Sequence, residues 1–243
     1  LLSILFACDM TFLVTKDRLS LYIAVMIIVI MISLIGGRII PSFTVDALER
    51  RGEEACETPQ GKMDVLALLS LVLIILEMVF IGQQGTLLAV TAFLSAMIHI
   101  LRLRHYHTRR ILNDPMVWIL HAGYGWLILG LLFIGASALD LLLFSNSLHA
   151  FTAGAIGSMT LGMMCRVARG HTGRNLIANR LTVLSFILLQ CAALMRVLGM
   201  VIAPSYSAEW VVGSATLWVL SFALYIFNYV PILCQPDLDE QVA

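Results

Sequence analysis

The chain has 243 residues, of which 60% are hydrophobic and only 12% are charged, and its mean hydropathy is +0.95. A soluble domain of this size needs far more polar surface, so the composition excludes a water-soluble globule and predicts a protein that uses lipid as its solvent. The formal net charge is zero at pH 7, so the overall charge argues neither for a nucleic-acid partner nor for a general attraction to acidic surfaces. The positions of the charges therefore matter more than their sum.

Apolar runs divide the chain into about seven membrane-spanning segments. A helix needs roughly 20 residues to cross a bilayer core of about 30 Å, and it satisfies its backbone polar groups internally because lipid offers them no partner. The sequence predicts spans at residues 19–34, 63–81, 86–101, 115–136, 145–164, 176–203 and 206–230. We therefore expect an all-α, polytopic transmembrane helical bundle that forms a single integral membrane domain over residues 1–243.

Residues 1–14 form a further apolar run, which has no basic leader and no small-residue cleavage site. Asp9 interrupts this run, so we interpret it as the tail of an earlier span and expect the chain to be a fragment of a longer protein. The five cysteines are scattered without a CxxC pair, and they indicate neither a thiolate metal site nor a redox motif.

Breakers and basic residues between the spans predict the topology. Glycine and proline mark the expected joints, which are Gly36-Gly37, Gly82, Asp114-Pro115, residues 170–173 and Pro204. The polar stretch 38–62 is predicted to be a solvated loop. Four Lys or Arg residues fall in each of the stretches 38–62, 102–110 and 166–180, and none falls in the turns between them. The positive-inside rule then predicts that these three stretches and the carboxyl terminus are cytoplasmic, whereas Lys16 and Arg18 count against this topology.

Histidines within the predicted spans are the first candidates for a functional site. An ionisable side chain inside a bilayer is costly and suggests function by default, with a hydrogen bond at a helix interface as the structural alternative. His99 and His121 fall near the cytoplasmic ends of their spans and could share a site. His149 begins the fifth span at the opposite side, which implies a second site. His105 and His107 lie in the basic HYHTRR connection and are interpreted as solvated side chains.

Other residues could complete either site. Trp118, His121 and Tyr124 share one helix face, which suits a flat aromatic cofactor as well as ordinary packing. Glu77 and Arg196 lie at a depth comparable to that of His149. These two residues could form a salt bridge, or Arg196 could hold an anionic group of a cofactor.

The fifth span carries small residues at four-residue spacing, and this stripe is sufficiently explained as a packing face: Ala150, Gly154, Ser158 and Gly162. On the adjacent strip, Ala153 and Gly157 follow His149, so a planar ligand could lie there. Three methionines of this span could offer thioether sulfur to copper or simply fill the core: Met159, Met163 and Met164. The following segment RVARGHTGR contains His171, and it could satisfy the positive-inside rule or bind a carboxylate or phosphate.

Two of these segments resemble the NnrS family: HAGYGWLILGLL from His121, and HAFTAGAIGSMTLGMMCRVARGHTGR from His149 to Arg174. GGRIIPSFT from Gly36 is also similar to a turn that this family carries after a span. The resemblance implies a bacterial inner-membrane protein that binds haem and copper and is linked to nitric oxide and nitrosative stress. The family is longer, so the chain would be its carboxyl-terminal portion.

Residue by residue, the resemblance matches four family histidines, namely His99, His121, His149 and His171, and Arg196 falls in a similar stretch. It implies cofactor binding by these five residues, with His99, His121 and His149 as metal ligands. Neutral imidazoles would be the axial ligands of haem, and copper would occupy the same or a second histidine site. The expected partners are the lipid bilayer and nitric oxide or a related small molecule, with no nucleic acid.

The sequence leaves open whether the protein is an enzyme. It contains no GxxxxGK[ST], GxGxxG, HExxH or GxSxG pattern, and no chain of carboxylates for proton delivery is evident around the histidines. The sequence is compatible with two other functions. One is a secondary transporter with a polar pathway made of Glu77, Arg196 and His149, and the other is a scaffold whose basic loops bind partners or anionic lipid.

Overall fold

The computed structural model describes residues 2–15, 18–56 and 61–236, and these ranges contain helices but no strand. The helices are α1 (Leu2–Thr15), α2 (Arg18–Glu49), α3 (Gly61–Phe80), α4 (Thr86–Tyr106), α5 (Pro115–Ala138), α6 (Phe144–Gly170), α7 (Arg180–Ile202) and α8 (Pro204–Leu233). Helices α2 to α8 are each long and apolar enough to cross a membrane. The prediction of an all-α bundle with about seven spans is therefore confirmed. Two parts of the predicted topology lie outside the described residues, namely Lys16 and the carboxyl-terminal residues 237–243.

Helix α5 lies at the centre of the bundle and packs against α4 on one side and α6 on the other. It begins where the sequence predicts, because the Asp114 side chain accepts a hydrogen bond from the Met116 backbone N–H at 3.1 Å and Pro115 occupies the first helical position. Helix α8 is the most exposed span and packs mainly against α7. Its outer face is therefore available to lipid.

The prediction of a loop at residues 38–62 is wrong for about half of that stretch, because α2 continues without a break to Glu49. Gly36 and Gly37 lie inside this helix and do not end it. A β-carbon at Gly37 would overlap the guanidinium group of Arg102, so glycine is needed there for close approach. Glycine costs an interior helical position only about 1 kcal/mol relative to alanine, which tertiary packing readily offsets. Among the described residues of the predicted loop, only 50–56 lie outside a helix.

The connections rich in Lys and Arg gather at one end of the bundle, where α2, α4 and α6 finish. Arg51 donates a hydrogen bond to the Arg110 carbonyl at 3.0 Å, and Arg110 forms an ion pair with Glu53 at 2.9 Å. Arg166, near the end of α6, lies 3.8 Å from the centre of the Phe43 ring of α2. We call this the basic end, and the other the opposite end.

Two spans contain π-helical segments near the opposite end, Ala150–Ile156 in α6 and Met195–Gly199 in α7. In a π-helix each N–H bonds to the carbonyl five residues back, so the turn is wider than in an α-helix. Single π-helical turns occur frequently at functional sites. The sequence predicts plain spans here, so these segments are a finding of the structure.

The small-residue stripe of α6 is the face that packs against α5, as predicted. Added β-carbons show how close the two helices lie: one at Gly154 would meet Trp126, and one at Gly162 would meet Ile119. Between these two contacts, a β-carbon at Gly123 would lie 3.1 Å from the side chain of Ser158. The helices therefore run antiparallel in close contact along the whole stripe.

Candidate functional site

A cavity of about 330 Å³ lies between α6, α7 and α8 near the opposite end. Its wall is made of polar and small residues together with one tryptophan: His149, Thr152, Ala153, Ala192, Arg196, Ser214, Ala215, Trp218 and Val219. Both π-helical segments contribute to this wall. The wider turns of α6 and α7 therefore meet at one cavity.

His149 is half-buried on the wall of this cavity, in the last α-helical turn before the π-helical segment of α6. Neither of its ring nitrogens has a hydrogen-bond partner among the described residues. A neutral imidazole with a free nitrogen can bind a metal or a haem iron without first breaking a protein contact. His149 is thus available as a ligand.

Arg196 lies on the same wall, in the π-helical segment of α7, and its Nη1 atom is buried with no hydrogen-bond partner. The salt bridge with Glu77, one of the two alternatives that the sequence left open, does not form among the described residues. Glu77 instead accepts a hydrogen bond from Thr91 at 2.8 Å, between α3 and α4, and it does not line this cavity. A buried guanidinium nitrogen without a hydrogen-bond partner is costly, and an anionic ligand at this wall would offset part of that cost.

His99 is fully buried on α4, and both of its ring nitrogens are occupied. Nδ1 donates to the Ser95 carbonyl at 2.8 Å, so Nε2 accepts from the Ser33 hydroxyl at 3.1 Å. His99 is therefore hydrogen-bonded at a helix interface, which was the structural alternative to its being a metal ligand. A metal could bind His99 only after one of these hydrogen bonds was lost.

An ion pair buried beside His99 was not predicted. The Arg102 side chain is 1% exposed, and its Nη2 lies 2.7 Å from an Asp64 carboxylate oxygen of α3. Its Nη1 donates to the Ser33 carbonyl at 2.8 Å and to the Tyr124 hydroxyl at 3.1 Å. The sequence counted Arg102 among the basic connections. Its position three residues after His99, on the same helix face, is the signal that could have identified it.

His121 is also buried and hydrogen-bonded through both nitrogens. The Thr44 hydroxyl donates to the Ile40 carbonyl at 2.7 Å, so it accepts from Nε2 of His121 at 2.9 Å. Nδ1 of His121 then accepts from the Thr108 hydroxyl at 2.9 Å. One side of the ring borders a cavity of about 320 Å³ that Trp118 and Ile111 also line.

His99 and His121 occupy the same region near the basic end, where two tyrosine rings lie between them. The centroid distances are 5.8 Å from His99 to Tyr124, 5.8 Å from Tyr124 to Tyr106, and 6.4 Å from Tyr106 to His121. The aromatic residues of the predicted α5 face have different neighbours. Trp118 packs edge-on against Phe186, with the ring centres 6.0 Å apart, whereas Tyr124 accepts a hydrogen bond from Arg102. Packing explains both aromatic residues.

The remaining candidates lie apart from the cavity of His149. His171 is exposed at the basic end, just after α6. Met159 and Met163 line an apolar cavity of about 220 Å³ against α2. Within the part of the chain that the structure describes, no group of three or more His, Cys, Asp or Glu side chains is placed to hold a metal ion.

A family model with the description "NnrS protein" matches residues 1–237. The matched range contains every helix of the bundle, His99, His121, His149, His171 and Arg196, and both π-helical segments. Comparisons with curated proteins and with solved structures give no match.

Proposed function

This chain belongs to the NnrS protein family, and on that premise we propose that it binds haem in the cavity between α6, α7 and α8. His149 would be a ligand of the iron, and Arg196 would bind a haem carboxylate. One observation carries the proposal: a histidine without a hydrogen-bond partner and an arginine with a buried, unpaired nitrogen share the wall of one cavity.

The chemistry of this wall fits haem. Imidazole nitrogen is a common axial ligand of haem iron, and arginine binds carboxylates strongly through charge-assisted hydrogen bonds. Ala153 and Ala215 leave space beside His149, and the Trp218 ring offers a flat apolar surface to a macrocycle. His99 and His121 support the proposal by contrast, because their nitrogens already have hydroxyl or carbonyl partners.

We further propose that nitric oxide, or a related small molecule, is the species that the protein binds in the response to nitrosative stress. A bound haem would supply an iron able to bind nitric oxide at an open coordination position. The chain's own residues would hold and orient the cofactor: His149 from α6, Arg196 from α7, and the apolar wall of Trp218 and Val219 from α8. The hydroxyl groups of Thr152 and Ser214 already donate to the Leu148 and Val211 carbonyls, at 2.8 and 3.0 Å, so they would accept a hydrogen bond from a polar ligand in the same cavity.

Copper stays a prediction from the family resemblance. No three His, Cys, Asp or Glu side chains lie together among the described residues, so a copper site built from them would need other ligands as well, such as methionine sulfur. Copper at His99 or His121 would require the loss of a hydrogen bond to Ser33, Thr44, Thr108 or Ser95. Metal analysis of the purified full-length protein is the direct test.

We propose that the protein is a multi-pass protein of a bacterial inner membrane, with its basic end and carboxyl terminus in the cytoplasm. The gathering of the basic connections at one end supports this orientation through the positive-inside rule. A green fluorescent protein fused to the carboxyl terminus should fluoresce, and alkaline phosphatase fused there should be inactive. The reverse pair of results would overturn the orientation.

The haem proposal is tested by an absorption spectrum of detergent-purified, full-length protein from haem-replete cells. We expect a Soret band in the wild type that shifts on addition of nitric oxide, and we expect His149→Ala to lose it. His105→Ala is the matched control, because His105 is exposed at the basic end and does not line the cavity. Added imidazole should restore the band to His149→Gly, since free imidazole can replace the missing ring.

Two results would overturn the proposal. A colourless wild type from haem-replete cells would show that no haem is bound. An unchanged Soret band in a folded His149→Ala protein would show that another residue ligates the iron, and the same substitution at His121 and His99 would then be measured.

A further inference from the structure

A second cavity, of about 610 Å³, lies at the basic end where α4 passes into α5. Its lining combines aliphatic residues from the last turns of α4 with basic residues from the connection: Ile100, Leu103, Arg104, His107, Thr108, Arg109 and Arg110. The cavity is therefore apolar on its membrane side and cationic on its aqueous side. The haem proposal makes no use of it.

The cations of this cavity are only partly neutralised. Arg110 pairs with Glu53 at 2.9 Å, but Arg104 and Arg109 are exposed and have no hydrogen bond or ion pair with any described residue. The positive-inside rule accounts for basic residues at this end, but it does not require that they line a cavity. Two uncompensated guanidinium groups in the lining of one cavity favour a phosphate or a carboxylate ligand.

The face of α4 that leads to this cavity is apolar and open to lipid. Phe93, Met97, Ile100 and Arg104 follow one another at spacings of four, three and four residues, so they form one stripe along the helix. Phe93 is 38% exposed and Met97 is 53% exposed. A hydrocarbon chain lying on this stripe would run from the bilayer interior directly to Arg104.

The basic residues around the cavity lie in a turn with an unusual backbone conformation. His107 has a positive φ of 52°, in the left-handed region, and it separates two short 3-10 turns at Arg104–Tyr106 and Thr108–Ile111. Thr108 lines the cavity and hydrogen-bonds to His121 at 2.9 Å. A ligand in the cavity would therefore contact a residue that supports a buried histidine.

We propose that this cavity binds one anionic phospholipid from the leaflet at the basic end. The headgroup phosphate would lie between Arg104 and Arg109, and an acyl chain would lie along Phe93, Met97 and Ile100. A free phosphate ion shares the headgroup chemistry but would use only the arginines. The lipid is the better fit because the cavity joins its cationic wall to an apolar, lipid-facing stripe.

Native mass spectrometry of the full-length protein in detergent tests this proposal with phosphatidylglycerol and phosphatidylcholine of the same acyl chains. We expect the wild type to bind phosphatidylglycerol more tightly, and the Arg104→Gln/Arg109→Gln variant to lose affinity by about fivefold for each arginine removed. Arg104→Lys/Arg109→Lys keeps both charges and should retain most of the preference. Circular dichroism would verify that each variant is folded.

Arg38→Gln/Arg180→Gln is the matched control, because it removes the same charge from exposed arginines that do not line the cavity. An equal loss in this control would show that only the general charge of the basic end attracts the lipid, and it would overturn the proposal. The wild type alone provides a second test. Complete displacement of phosphatidylglycerol by an equal concentration of inorganic phosphate, or equal binding of the two lipids, would also overturn it.

Discussion

The guanidinium group of Arg102 lies directly against Gly37, in the space that a β-carbon at position 37 would fill. From this position Arg102 reaches the Ser33 carbonyl of α2, the Tyr124 hydroxyl of α5 and the Asp64 carboxylate of α3. One side chain of α4 therefore connects three other helices. The absence of a side chain at Gly37 makes this connection possible.

Replacing Gly37 by alanine should disrupt this contact. Overpacking a closely packed site costs about 1–3 kcal/mol, so Gly37→Ala should lower the melting temperature of the detergent-solubilised protein. Gly36→Ala is the control, because a β-carbon at position 36 would lie 3.5 Å from its nearest neighbour, Ile40, which is an ordinary contact. Equal melting temperatures for the two variants would contradict the close approach of Arg102.

The ion pair of Asp64 and Arg102 should behave as a coupled unit. Removing one partner of a buried pair leaves an uncompensated charge and costs about 3–5 kcal/mol, although the 35% exposure of the Asp64 side chain should reduce this cost to about 1–3 kcal/mol. Asp64→Asn and Arg102→Met should each lower stability, and the double variant should lose less than the sum of the two. Thermal unfolding of all four proteins would measure the coupling, and strict additivity would refute it.

Arg196 should strengthen haem binding but lower the stability of the haem-free protein. Its Nη1 atom is buried without a partner, so Arg196→Met should raise the melting temperature of haem-free protein while lowering its haem affinity by about tenfold. Arg180→Met removes an exposed arginine and should change neither quantity. A haem-free Arg196→Met protein that melts below the wild type would indicate a structural role.

The hydroxyl groups that hydrogen-bond to His99 and His121 should contribute to the stability of the protein and not to its haem spectrum. Ser33→Ala and Thr44→Val each leave a buried histidine nitrogen without its partner, which should cost about 1–3 kcal/mol. The Soret band at His149 should be unchanged in both variants. A spectral change in either would instead connect His99 or His121 to the haem.

Hydropathy alone was sufficient to predict the spans, because a bilayer imposes the same length and the same apolar composition on every helix that crosses it. Local chemistry also predicted the start of α5, since the Asp114-Pro115 pair contains its own cap. The end of α2 was missed for a different reason. In the sequence, Gly37 resembles a residue that ends a helix. Its partner Arg102 lies 65 positions further along the chain, so no local pattern connects the two.

The candidate site was only partly predictable for the same reason. The sequence indicated that His149 and Arg196 lie at a comparable depth, because depth follows from the position of a residue along its span. It could not distinguish a free histidine from a satisfied one. That distinction depends on Ser33, Thr44 and Thr108, which reach His99 and His121 from other parts of the chain.

The π-helical segment of α6 also sets the rotational phase of that helix. A strict four-residue repeat drifts by about 40° per step around an α-helix of 3.6 residues per turn, or about 80° from Gly154 to Gly162. Such a drift would turn Gly162 away from the partner that Gly154 faces, yet both glycines contact α5. The wider turn at Ala150–Ile156 advances fewer degrees per residue and so counteracts the drift. The periodicity of four is thus matched to a helix that is locally underwound.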